Sequence, residues 1–443
     1  MSTLRYPAKI TKIYLLKLSL PIFFSNFAIP LVSLVDTFLM GHLGNEKFLA
    51  ATSIAASVIT MIYWSFGFLR MGTVGQVSQT LGKGDYREIV HIIIRNLIIA
   101  LFISISLLIL QSLILNGINY FFKVENETAI LIENYISIRI FSAPAELMMY
   151  VIIGFYLGLQ KTKISSLLSI CFSVSNIFLS IYFVNNLNLN IFGVALGTLI
   201  AAYFTTIIFL IYTYFFIIKN LKIVPRFQIQ IFFKKKIFKL LYINLDIFIR
   251  TLLLTFAFLW FNYLSSKLGE NILAINTVLM QFILFAAFFL DAYAFSTEGV
   301  IGYSIGRRAK KSFFSAVKNS FEVSFLTGIL IAILYIFFSK YIINFLTDLD
   351  LIRYLSYSFI FWIIIIPPVA SFCYQFDGIY IGASETSSMR NSMIISVIIY
   401  IIISIYLMRI FGNHGIWLSL LILMILRSIT LNFFFNKILK KFK

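Results

Sequence analysis

Stretches free of charge and long enough to cross a bilayer recur along the whole of this 443-residue chain. Residues 92–115 carry Arg95 as their single charge, and residues 191–218 carry none. About twenty mostly apolar residues span the hydrocarbon core as a helix. Twelve segments of this kind can be placed, near 13–40, 48–80, 90–115, 130–158, 164–184, 191–218, 238–265, 272–303, 315–345, 353–382, 389–411 and 414–435. The longest exceed what a perpendicular crossing needs, so tilts or kinks are expected. Only 12% of the residues are charged and the mean hydropathy is +0.96. A soluble domain carries about 25% charged residues, so a water-soluble globule is excluded. The chain reads as an all-α, multi-pass membrane protein.

Its net charge of +19 does not point to nucleic acid. Alternate span ends hold the cations very unequally. One set has Arg5, Lys9, Lys12, Lys83, Arg87, Lys161, Lys163, the run from Lys219 to Lys239, Arg307 to Lys318, Arg390, and Lys437 to Lys443, 24 in all, against 6 on the other side. Short basic loops stay in the cytoplasm, which places both termini there. The stretch 219–237, with Lys234-Lys235-Lys236, reads as a basic cytoplasmic linker. Residues 1–218 and 238–443 are then two six-helix bundles. Cys171 and Cys373 fall inside apolar helices and read as core residues, not a disulfide. The first twelve residues are polar and basic without a cleavage pattern. Asn126-Glu127-Thr128 fits a glycosylation acceptor but reads as coincidence.

The two halves can be laid on each other. Pro144, Tyr150, Gly154, Tyr156, Gly158 and Thr162 meet Pro368, Tyr374, Gly378, Tyr380, Gly382 and Thr386, always 224 residues on. Gly75 and Gly82 meet Gly299 and Gly306 at the same offset. Leu43-Gly44 meets Leu268-Gly269 at 225, and Gly193 meets Gly415 at 222. Six helices per half is an even number, so both halves share one orientation and a pseudo-two-fold along the membrane normal is expected.

An ordered series of motifs carries a resemblance. The first half has Leu20-Pro21, Leu34-Val35-Asp36-Thr37, Gly41-His42-Leu43-Gly44, Phe66-Gly67-Phe68-Leu69-Arg70-Met71-Gly72-Thr73 and Gly82-Lys83-Gly84-Asp85. The second has Ala274-Ile275-Asn276, Phe376-Asp377-Gly378, Ile381-Gly382-Ala383 and Met389-Arg390-Asn391-Ser392-Met393. Together they resemble the multidrug and toxic compound extrusion (MATE) family over almost the whole chain, closest to its DNA-damage-inducible protein F subfamily. The resemblance implies two bundles around a central cleft that opens alternately to either side. It implies export of amphipathic or cationic small molecules from a bacterial cell in exchange for protons, with sodium as the alternative coupling ion. It also matches Asp36 to the subfamily's proton site, Pro21 to the kinking proline of helix one, and Asn176 and Thr198 to the polar cluster around that site. Where the family often has a second aspartate, four residues after the asparagine, this chain has Ser180. Serine cannot take the proton of a carboxylate, so Asp36 is expected to act alone.

The residues themselves allow such a cluster. An ionisable group within the bilayer is costly and marks function by default. Counted along their helices at 1.5 Å per residue, Asp36, Asn176, Ser180 and Thr198 share a similar depth of roughly 6–12 Å below the outer surface. Asn176 and Ser180, four apart, share a helix face. Desolvation favours the neutral form of such a carboxyl, and hydrogen bonds favour its anion. The alternative is that Asp36 is a helix-end residue facing headgroups and water. Glu146 is a second carboxylate, unpaired by sequence but lying far deeper. In the second half Asp246, Arg250, Asp291, Glu298 and Asp377 form either a neutralised ion network or a cation site. Asp246 precedes Arg250 by four, a favourable helical pair, and Arg250 and Asp291 lie at matched depth.

His42, His91 and His414 have no ligand spacing, so no metal is expected. No phosphate-binding Gly-x-x-x-x-Gly-Lys-Ser/Thr loop occurs, so neither ATP nor any cofactor is implied. Two other functions compete with export. A lipid-linked oligosaccharide flippase needs inner cations to hold a pyrophosphate, for which Arg70 and Arg250 are the strongest candidates. A membrane-embedded transferase needs clustered acids or histidines at one face, which are missing. The expected partners are small-molecule substrates and the lipid bilayer, with the chain acting as a monomer.

Overall fold

The computed structural model describes residues 6–7, 9–43, 46–122, 126–225 and 234–442, and among these the secondary structure is entirely helical. Among the described residues, twelve helices are long and apolar enough to cross a membrane. They are α1 Lys12–Gly41, α2 Lys47–Lys83, α3 Tyr86–Ile109, α4 Asn126–Gly158, α5 Thr162–Asn186, α6 Asn190–Leu221, α7 Lys236–Lys267, α8 Glu270–Gly306, α9 Lys310–Leu346, α10 Ile360–Ala383, α11 Thr386–Phe411 and α12 Asn413–Phe442. The expected linker lies partly outside the described residues, at 226–233, as does Gly44.

Several expected spans are broken. α2 consists of Glu46–Ser65 and Phe68–Lys83, parted at Phe66-Gly67. α4 passes through a 3₁₀ turn at Ile140–Ser142 before resuming at Ala143 with Pro144 in its first turn, where proline's missing N–H costs nothing. The apolar run 90–115 divides at Leu110, and Gln111–Phe122 forms a separate helix. The run 353–382 likewise divides into Asp350–Tyr357 and Ile360–Ala383. Apolar residues stand on both sides of each break, so the apolar pattern does not mark it. α1, by contrast, continues as helix through Pro21, although Pro21 has no N–H to give the Lys17 carbonyl.

Two compact units result, one of residues 1–6 with 24–240, the other of residues 7–23 with 241–443. α1 is therefore shared, and its division falls just past Pro21. In the second unit its first turns are held by Lys12, paired with Glu322 at 2.7 Å. The Ile10 carbonyl accepts from Ser315 at 2.9 Å and from Asn319 at 2.7 Å.

The repeat read from sequence is a repeat of close helix crossings. A Cβ on Gly154 would lie 2.5 Å from the Arg70 carbonyl oxygen, and one on Gly378 would lie 2.6 Å from that of Ala294. Gly193 packs against Phe183 and Val184, and Gly415 against Leu407 and Met408. Small residues at such crossings let helix backbones approach within a bilayer. Helix ends repeat too. Gly84 and Arg308 both adopt positive φ, as do Gln160 and Ser384, again 224 apart. In each end the next backbone N–H reaches back to close the helix, Asp85 to Thr80 and Ala309 to Ser304, Lys161 to Tyr156 and Glu385 to Tyr380.

Candidate functional site

In the first unit α5 and α6 are drawn together at Gly197, where a Cβ would lie 2.8 Å from the Ser180 backbone nitrogen. That approach brings three sequence-selected polar residues into one chain. The Asn176 side-chain amide donates to the Thr198 hydroxyl at 2.8 Å, and Thr198 donates to the Val194 carbonyl at 3.0 Å. Ser180 donates to the Asn176 side-chain oxygen at 3.4 Å. All three are buried. Asp36, part-buried on α1, lies near Ser180 and Arg139. Its Oδ1 atom is enclosed and accepts from no donor.

Glu146, expected to be unpaired, is not. It forms an ion pair with Arg139 and accepts from the Ser142 hydroxyl at 2.9 Å. Arg139 also reaches Ser142, and lies 5.4 Å over the ring of Tyr63. The Tyr63 hydroxyl donates to the Arg139 carbonyl at 3.1 Å. Tyr135, buried one turn before Arg139, interacts with both Arg139 and Asp36. Tyr150 interacts with Glu146 and Arg70. Tyr135, Arg139, Ser142 and Glu146 thus form one stripe, and their spacings of four, three and four are those of a helix face. That spacing was the signal from which Arg139, Ser142 and Tyr135 could have been found.

The second unit fills the equivalent place differently. At the repeat offsets, Asp36, Asn176, Ser180 and Thr198 correspond to Phe261, Tyr400, Ser404 and Leu420, all fully buried. Phe261 packs edge-on against Trp417 at 5.0 Å. No carboxyl stands there; the position is part of the apolar core.

The charges of this unit gather elsewhere. Asp377 on α10 pairs with Arg250 of α7 and, at 2.6 Å, with Arg427 of α12. Asp246 pairs with Arg390 at 2.6 Å and accepts from Thr386 at 2.9 Å. The expected helical pair of Asp246 with Arg250 therefore does not form, because neighbouring helices offer each a partner. Arg250, Asp291, Asp377 and Arg427 all act on the buried Cys373 thiol, so these four charges are neighbours. Glu298 is buried at the crossing where Gly382 meets its backbone carbonyl.

Among the described residues, no group of three or more His, Cys, Asp or Glu could hold a metal ion. His42 contacts the Phe38 carbonyl at 2.8 Å, His91 faces Glu88 at 3.6 Å, and His414 accepts from Trp362 at 3.0 Å.

The sequence profile of the family MatE matches this chain twice, at residues 21–182 and 247–407. DNA damage-inducible protein F of Escherichia coli (strain K12) is 30% identical over 416 residues, covering 94% of this chain and 90% of that protein. Multidrug export protein MepA of Staphylococcus saprophyticus is 20% identical over 194 residues, covering 44% of this chain and 43% of that protein. A solved MOP superfamily transporter from Pyrococcus furiosus superposes with a TM-score of 0.87 at 18% identity, over 98% of this chain and 97% of the other. An outward-facing multidrug resistance MATE family transporter gives 0.86 at 18% identity, with the same coverage of each chain. At that identity the two structures share the fold.

Proposed function

The chain belongs to the MatE family, and we propose that it is a secondary antiporter exporting amphipathic or cationic small molecules by alternating access, driven by protons. Members of this family transport small molecules and are not enzymes, and this chain is a multi-pass membrane protein. The proposed setting is a bacterial plasma membrane with both termini in the cytoplasm.

One observation carries the reading. Asp36 has an enclosed carboxylate oxygen with no donor, beside the buried chain of Ser180, Asn176 and Thr198. A carboxyl held within a spanning helix is costly there and marks function by default. Ser180 and Asn176 hold the surrounding dipoles in place, so Asp36 is the group that gains and loses the proton. The chemistry of the second unit supports assigning coupling to the first. Its equivalent place is apolar, and Asp377 is bound to two guanidinium groups. A flippase reading finds less support, because Arg95, Arg139, Arg250 and Arg427 each face a carboxylate.

The test is ethidium efflux from proteoliposomes under an imposed pH gradient, then under a sodium gradient. Wild-type protein is expected to respond to the pH gradient, and Asp36→Asn to lose that response. Gradient-driven export that survives in Asp36→Asn removes Asp36 from the coupling role; export driven by sodium alone removes the proton.

A further inference from the structure

Lys12 and Lys236 stand at the repeat offset of 224, and each begins the first membrane helix of its half. Both helices change units partway, α1 after Phe23 and α7 after Leu240. The leading turns of α1 lie in the unit of residues 241–443, and those of α7 in the unit of residues 24–240. Each lysine therefore meets a helix of the opposite half. Lys12 pairs with Glu322 of α9 at 2.7 Å, and Lys236 pairs with Glu88 of α3 at 2.6 Å. α3 and α9 are the third helices of their halves, so one exchange is made in both directions. Each docked segment also buries an apolar side chain near its lysine, Ile10 in one unit and Leu240 in the other.

These pairs are built to be broken. Both lysines are about half-exposed, and ion pairs open to water hold weakly. Neither glutamate depends on its lysine alone. Glu322 has Lys318, four residues earlier on its own helix, at 3.9 Å. Glu88 has Arg95 of its own helix at 2.5 Å, and His91 at 3.6 Å. When the lysine leaves, a resident cation stays with the carboxylate, so release strands no lone charge. We propose that Lys12–Glu322 and Lys236–Glu88 are a matched pair of releasable latches. They hold the leading turns of α1 and α7 in one state of the transport cycle and let them go in the other. A helix shared by two units has to give way when those units move, and its weakly held leading turn is where it gives. This inference rests on the reading of the chain as an alternating-access exporter.

Site-specific labelling tests it. Ile10→Cys and Leu240→Cys each put a thiol on a buried docking side chain. Maleimide labelling at that residue is read by mass spectrometry in proteoliposomes. It is expected to be slow at rest and severalfold faster during pH-driven ethidium export. Adding Lys12→Ala to Ile10→Cys, or Lys236→Ala to Leu240→Cys, is expected to raise labelling at rest about threefold. Lys12→Arg keeps the ion pair and is expected to label as its parent does. Labelling that is the same at rest and during export overturns the inference, as do alanine variants that label no faster than their parents. Hydrogen exchange of wild-type residues 10–16 and 236–240 reads the same release without a substitution, and decides the question if a cysteine variant does not fold. Wild-type protein that moves no ethidium under either gradient counts instead against the exporter reading, and the alanine comparison at rest still decides the ion pairs.

Discussion

Asn176 on α5 donates its side-chain amide to the hydroxyl of Thr198 on α6 at 2.8 Å, with both residues buried. Valine at 198 would keep the shape and remove the acceptor. A buried donor left unsatisfied costs about 1–3 kcal/mol. Thr198→Val is expected to lower the melting temperature in detergent and to slow pH-driven efflux. An unchanged melting temperature would show that Asn176 finds another partner.

Ser180→Asp places a second carboxylate within reach of Asp36. Like charges in one site cannot both ionise freely, so one proton is held to higher pH. The midpoint of proton-driven transport is expected to rise by about one pH unit or more. A fall, or no change in a folded variant, would mean that residue 180 and Asp36 do not share a field.

Gly378 and Gly154 occupy the same crossing in their respective units, each against a carbonyl 84 residues earlier in the chain. Alanine at either position drives a methyl into backbone, and overpacking of this kind costs about 1–3 kcal/mol. Both variants are expected to unfold at lower temperature. Gly117→Ala meets nothing within 4 Å and serves as the neutral control. Equal melting temperatures for all three would contradict the close crossing.

Asp377→Asn leaves the guanidinium groups of Arg250 and Arg427 buried around a neutral amide. Removing one partner of a buried ion pair costs about 3–5 kcal/mol. The variant is expected to accumulate poorly, and adding Arg250→Met is expected to recover part of the loss. If Asp377→Asn were as stable as wild type, the ion cluster would not be holding α7, α10 and α12 together.

How much of this was legible in the sequence depended on whether the information was local. The twelve apolar spans and the Gly154/Gly378 repeat were legible, because length, hydropathy and spacing record them directly. Asn176, Ser180 and Thr198 were legible as a group of similar depth, and they hydrogen-bond in series. The breaks at Phe66-Gly67 and Leu110 were not, since apolar residues continue on both sides. Ion partners were the least legible. Asp246 and Arg250 satisfy a helical rule that knows only their own helix. Arg390 and Asp377 come from 144 and 127 residues away in sequence. Arg139 and Glu146 lie seven residues apart, two turns along one chain stretch, outside the three- and four-residue spacings that mark neighbours on a helix.

Residues 7–23 are built into the unit whose remainder begins at residue 241. Chain order and module order therefore disagree at the very start of the protein. A fragment of residues 241–443 would lack the segment whose Ile10 carbonyl accepts from Ser315 and Asn319. A break inserted between the halves would leave each piece carrying or missing part of the other. The fragment of residues 241–443 would not hold the whole of its unit, and residues 1–240 would carry the missing part.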